Sequence, residues 1–110
     1  MQLELFELVD YAKELRTKDI KESRVMLHVV DQGRQADNGM QIPFRVVTLI
    51  FTARAKDYII RFNHQVADFP ISMDADVMKK NTEEMQKNID EAKTVLTDAK
   101  IDVIDGVWVI

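Results

Sequence analysis

The chain has 110 residues, of which 46% are hydrophobic and 31% are charged, and these values are typical of one globular domain rather than of a disordered or fibrous chain. Its net charge of −4 disfavours nucleic acids and anionic membranes as partners, because both are bound through a positive field. The absence of cysteine excludes disulfides, thiolate nucleophiles and cysteine-ligated metals, and it fits a reducing compartment. We therefore expect a single soluble domain over residues 1–110, located in the cytoplasm.

The start of the chain favours a helix over residues 3–16. Apolar side chains recur there with the 3.6-residue period of an amphipathic helix, at Leu5, Leu8, Val9, Ala12 and Leu15. Residues 1–5 alternate in polarity and also permit a short strand, which we rank second because the helical stripe is longer.

Three segments with alternating apolar residues predict an antiparallel meander. They cover residues 23–31, 41–54 and 57–66, and each has the period of two that places one face of a strand on a core. The connection between the first two contains Asn38-Gly39, a pair that tolerates positive φ and therefore favours a tight turn.

A long second helix is predicted after the sheet, from a cap at Ser72 or Asp74 to about Lys100, because side-chain oxygens satisfy the free amides of a first turn. Its apolar stripe is spaced alternately by four and three residues, at Met78, Thr82, Met85, Ile89, Ala92, Leu96 and Ala99. The spacing also permits a coiled-coil seam, but the heptads are few and we favour packing of the helix on the sheet.

Residues 101–110 indicate a final bent strand or a small hairpin. The predicted fold class is therefore α+β, with the order α-β-β-β-α-β. Its sheet is an antiparallel meander, and the long second helix packs on one face of it.

The second and third strands can be aligned by requiring their apolar residues to share one face. An even number of connecting residues sets Ala53 opposite Tyr58, Phe51 opposite Ile60, Leu49 opposite Phe62, and Val47 opposite His64. A slip of one residue would mix apolar and polar side chains, because it moves every side chain to the other face. The resulting core prediction comprises Phe51, Ile60, Phe62, Ile89, Leu96 and Trp108.

The opposite face of this sheet is half apolar, and the sequence leaves its covering open. It can be solvated, covered by helix one, or covered by another chain. Large apolar patches usually mark interfaces, and two-fold homodimers are the commonest assembly. We expect a non-enzymatic interaction domain that self-associates through this face, with an interface at Val46, Ile50, Ile59 and Arg61.

A small-ligand-binding domain is the main alternative function. In that interpretation helix two leaves a cavity against the curved sheet, and the cavity is lined by Tyr58, Phe62, His64 and Trp108. Pockets of this kind combine apolar and aromatic walls with a few polar groups that orient the ligand.

A weaker alternative is a hydrolase or isomerase that depends on His64. Either His28 or His64 could act as a base or a metal ligand, with Asp68 nearby. Motifs for phosphate cradles, dinucleotides, zinc and nucleophilic serine are absent from the sequence. We therefore prefer to place His64 at the rim of the core with one nitrogen hydrogen-bonded and His28 at the surface or rim, and we expect neither a metal nor a cofactor.

The order of elements superficially resembles that of the double-stranded-RNA-binding domain, and a basic cluster could supply a positive side, at Lys13, Arg16, Lys18, Lys21 and Arg24. That family has a lysine-rich start to its second helix, where this chain has Asp74-Ala75-Asp76, so we expect no nucleic-acid partner. Type III secretion chaperones and SecB-like proteins share pieces of the same order, as a likeness of topology alone.

Overall fold

The computed structural model describes residues 5–98 and 104–105 of the chain, and it shows an α+β domain built on one sheet. In chain order the elements are α1 (Leu5–Arg16), β1 (Ile20–Gln35), β2 (Gln41–Ala55), β3 (Ile59–Pro70), α2 (Ala75–Asp98) and β4 (Ile104–Asp105). The predicted order of helices and strands is confirmed. The predicted burial of Trp108 lies outside the described residues.

The sheet has the strand order β3-β2-β1-β4. The first three strands are antiparallel neighbours, and β4 runs parallel to β1 opposite Arg24 and Val25. At about 3.3 Å per residue, β1 and β2 are each about 50 Å long, which accounts for the 51 Å long axis of the protein. Both strands extend beyond the bounds predicted from hydrophobic alternation.

We call the far part of the β1–β2 hairpin, residues 31–45, the arm. Its turn forms where Asn38-Gly39 predicted one, with Gly39 at φ 84°. The amide of Ala36 donates to the carbonyl of Met40 at 2.8 Å, and the amide of Met40 donates to the Asn38 side chain at 3.0 Å. None of the arm residues belongs to the buried apolar cluster of the described chain.

Both helices pack on the same face of the sheet, which we call the core face. The ring of Tyr11 on α1 lies 6.2 Å from that of Phe51 and 5.2 Å from that of Phe62. From α2, Ile89, Ala92 and Leu96 join the same cluster. A sheet of three strands is about 14 Å wide, whereas one helix is about 10 Å across, so one helix cannot cover this face. Because α1 packs on the core face, the alternative that helix one covers the opposite face is wrong.

From Thr48 to Arg54 the pairing of β2 with β3 is shifted by two residues from the predicted register, and beyond the bulge Val47 pairs with Ala67 rather than with His64. Ala53 pairs with Ile60 rather than with Tyr58, and Phe51 pairs with Phe62 rather than with Ile60. The shift arises because the turn after Ala55 is longer than predicted and includes Tyr58. The even shift keeps the side chains before the bulge on their predicted faces, and beyond the bulge Val47 is still buried on the core face.

Tyr58 lies in this longer turn rather than on β3, where the sequence analysis had placed it. It was predicted on the core face, but its side chain is 48% exposed. The predicted core is otherwise buried at Phe51, Ile89 and Leu96, and only half-buried at Ile60 and Phe62.

Helix α2 begins with the cap that the sequence predicted. Oδ1 of Asp74 accepts hydrogen bonds from the amides of Asp76 at 2.9 Å and Val77 at 3.4 Å. These bonds satisfy two of the four amides that the first turn of a helix leaves free. The helix then packs against β3 and α1, as predicted for a helix that covers a sheet.

Candidate interaction surface

The face of the sheet opposite both helices is the candidate functional surface, and we call it the open face. Its side chains lie in rows across β1, β2 and β3, because paired residues of neighbouring strands point to the same side. In order along the strands the rows are Glu22–Arg54–Ile59, Arg24–Thr52–Arg61, Met26–Ile50–Asn63, His28–Thr48–Gln65, Val30–Val46–Asp68, Gln32–Phe44–Pro70 and Arg34–Ile42. In the described part of the chain, neither helix packs on these rows.

Apolar side chains form a broken strip along this face, from Ile59 at one end to Ile42 on the arm. Ile59 is 65% exposed and Val30 is 37% exposed. Met26, Phe44 and Val46 are half-buried. The strip thus exposes aliphatic surface to solvent in the isolated protomer.

All four residues of the predicted interface lie on the open face. Val46, Ile59 and Arg61 retain exposed surface there. Ile50 occupies the middle of the sheet between Met26 and Asn63 and is only 6% exposed. Ile50 therefore presents little accessible surface on the open face of the protomer.

Arginines dominate the charge at one end of the open face. Glu22 lies 2.9 Å from the guanidinium of Arg24 and 3.6 Å from that of Arg54. Arg61 lies in the same row as Arg24. Three arginines and one glutamate make this end of the face positive, although the chain as a whole is acidic.

At the arm end of the face, charge is balanced within the protomer. Nη2 of Arg34 lies 2.9 Å from Oδ1 and 3.0 Å from Oδ2 of Asp68, and its hydrogen bond goes to Oδ2. The same guanidinium lies 4.3 Å from the centre of the Phe44 ring, a cation–π contact. This end is therefore neutral, because its arginine and its aspartate pair with each other.

The opposite side of the arm is held by a second cross-strand pair. Nε and Nη2 of Arg45 donate to the two carboxylate oxygens of Asp31 at 2.8 and 3.0 Å. Hydrogen bonding from Arg45 holds the pKa of Asp31 below its ordinary value. The sequence analysis identified neither of these two arm pairs, because each joins residues that are distant in sequence.

The outer edge of β3 is partly blocked by side chains. A bulge interrupts its pairing with β2 beside Val66. The side-chain Nδ2 of Asn88 on α2 donates to the Val66 carbonyl at 2.9 Å. The hydroxyl of Tyr11 donates to the carbonyl of Ile60 at 3.4 Å, and burial raises the pKa of Tyr11 to about 12. Bulges and covered carbonyls are common ways to stop a sheet from adding further strands.

The two histidines lie on opposite faces of the sheet. His64 pairs with Leu49 on the core face, whereas His28 pairs with Thr48 on the open face. Asp68 is not beside His64, because it lies on the open face and binds Arg34. The residues considered for a histidine-dependent site are thus not brought together.

His64 itself is buried beside Phe62, with ring centres 6.3 Å apart in a stacked arrangement. Its Nε2 has no hydrogen-bond partner within the described chain. Burial lowers the pKa of His64, so the neutral imidazole is the form that the fold accommodates.

A small cavity of about 210 Å³ lies between α2 and β3. Its walls include the bulge, with Val66 and Phe69, and the α2 residues Met85 and Asn88. The predicted ligand residues Tyr58, Phe62 and His64 are not among its described lining residues, and Trp108 lies outside the described part of the chain. The cavity is smaller than the roughly 300–1,000 Å³ typical of pockets for small organic ligands.

The described residues hold neither a cluster of metal-ligating side chains nor a membrane-spanning helix. Within residues 5–98 and 104–105, no three acidic, histidine or cysteine side chains cluster as metal ligands would. Neither of the described helices is long and apolar enough to span a bilayer. Comparison of the chain with protein-family models, curated proteins and solved structures finds no match.

Proposed function

We propose that this protein is a non-enzymatic interaction domain that self-associates through the open face. The observation that supports the proposal is the placement of both helices on the core face, which leaves the apolar strip of the opposite face uncovered by either helix. Large contiguous apolar patches usually mark contact surfaces, and the strip brings several apolar residues together on one face.

The size of the open face suits a dimer. Its rows extend over about 40 Å along the strands and about 14 Å across them, which gives roughly 600 Å² of projected area per protomer. Stable interfaces bury about 600–1,000 Å² on each partner. A second copy of the chain can therefore cover the strip without help from another surface.

Light scattering coupled to size exclusion at micromolar concentration tests the proposal. We expect the wild-type mass to be twice that of the chain. Ile59→Lys and Val30→Lys place a charge in the strip and should shift the mass to that of one chain. Circular dichroism of both variants should remain that of the wild type, because both side chains are partly exposed in the protomer.

Val77→Lys is the matched control, since Val77 is an exposed aliphatic residue, 42% accessible, on α2 rather than on the sheet. We expect it to leave the dimer intact. A wild-type protein that is monomeric throughout the concentration range would contradict the proposal. A dimer that survives both strip variants would also contradict it, because the contact would then lie elsewhere.

A further inference from the structure

We infer that two copies pack face to face with antiparallel strands, about a two-fold axis that crosses the row His28–Thr48–Gln65. This inference rests on the proposed self-association and specifies its geometry. In such a pair, each row of one copy lies over a row of the second copy. The two rows are equally distant from the axis but belong to opposite ends of the open face. The charges and apolar residues of the open face select this arrangement over its alternatives.

The arginines decide between the two directions that a face-to-face two-fold axis can take. An axis parallel to β2 would place Arg24 over Arg61 of the second copy and Arg54 over its own counterpart. Such like-charge contacts are strongly unfavourable at an interface. An axis across the strands instead moves each arginine-rich end over the neutral arm end, where Arg61 approaches the Asp68–Arg34 pair of the second copy.

The apolar residues then fix the row that the axis crosses. With the axis at Thr48, Met26 lies over Val30 of the second copy, and Ile50 lies over Val46. Moving the axis to the row of Ile50 would set Val30 over Glu22. These contacts follow from the observed register, in which paired residues share a row.

Moving the axis the other way, to the row of Val46, would bring two carboxylates together, since Asp68 would face its own counterpart. It would also place Met26 over Arg34. The axis at Thr48 is thus the position among these neighbouring rows that pairs aliphatic residues with each other and keeps like charges apart.

Site-specific cross-linking tests this geometry, and the absence of native cysteine makes single-cysteine variants unambiguous. Packed sheets lie about 10 Å apart between their backbones, and both side chains point into this gap, so a thiol cross-linker shorter than about 10 Å should join Thr48→Cys to its counterpart. Arg54→Cys is the discriminating variant, because it lies six residues from Thr48 on the same strand. Its two copies should be about 40 Å apart and should remain uncoupled.

Light scattering on each variant before cross-linking separates the inference from the proposed function. A dimer that cross-links at Thr48→Cys but not at Arg54→Cys supports the inference. A dimer that cross-links at both positions indicates the axis along β2, and a dimer that cross-links at neither indicates another surface. Both results overturn the inference, whereas a monomeric wild type overturns the proposed function itself. If Thr48→Cys alone is monomeric, His28→Cys in the same row replaces it, with the same expected result.

Discussion

Truncation of Phe51 to alanine tests the central claim about the fold, that both helices share one face of the sheet. Phe51 is 1% exposed, and its ring meets Tyr11 of α1 and Phe62 of β3 at centre distances of 6.2 and 6.5 Å. Removing a fully buried phenylalanine costs about 3–5 kcal/mol through lost burial and the cavity that remains. Domains of this size are stable by only about 5–15 kcal/mol, so the variant should lose a large part of its stability.

The size of the effect can be measured by urea unfolding and by thermal melting. An unfolding entropy of about 2.1 cal/mol/K per residue gives about 0.23 kcal/mol/K for a chain of this length. A loss of 3–5 kcal/mol should therefore lower the Tm by about 13–22 °C. Tyr58→Ala removes an exposed aromatic ring from the β2–β3 turn and should cost less than about 1 kcal/mol. Equal losses in the two variants would refute the assignment of the core face.

Two further predictions concern His64 and the start of α2. Burial lowers the pKa of His64 in the folded protein, whereas histidines of the unfolded chain titrate near about 6.5. As the pH falls, His64 is therefore protonated in the unfolded chain before it is protonated in the folded protein. The free energy of unfolding should then decrease below about pH 6.5 in the wild type, and this part of the decrease should be absent in His64→Phe; parallel urea-derived profiles would contradict the reasoning. Asp74→Ala removes the cap of α2 and should cost about 1 kcal/mol. Asp74→Asn keeps an acceptor oxygen and should restore most of that loss, whereas equal costs for both variants would argue against capping.

The order and type of the elements could be predicted because each has a local signal. The 3.6-residue stripe around Leu8 and Ala12, the Asn38-Gly39 turn and the Asp74 cap all act through residues close in sequence. The division of the sheet into two faces could also be predicted, since it depends only on whether the connection shifts the register by an even or an odd number. The four interface candidates therefore came together on one face without knowledge of the register itself.

The features that the sequence did not reveal depend on contacts between distant segments. β3 continues past the bulge at Val66 through Asp68 to Pro70, four residues beyond the strand end predicted at residue 66. Once β3 extends this far, Asp68 is carried to Arg34 of the arm and away from His64. No local pattern encodes a bulge in the middle of a strand, because the extra residue is accommodated by the partner strand and by Asn88 of α2.

The position of α1 follows from dimensions rather than from any motif, and it has the largest consequence for function. A sheet of three strands is wider than one helix, so α2 alone would leave part of the core face around Phe51 and Phe62 exposed. Packing Tyr11 and Leu15 of α1 beside α2 closes this core, and a domain with two described helices then has neither left for the other face. The exposed side chains of Val30 and Ile59 on that face are the direct result, and they are the reason why we propose this face as the contact surface.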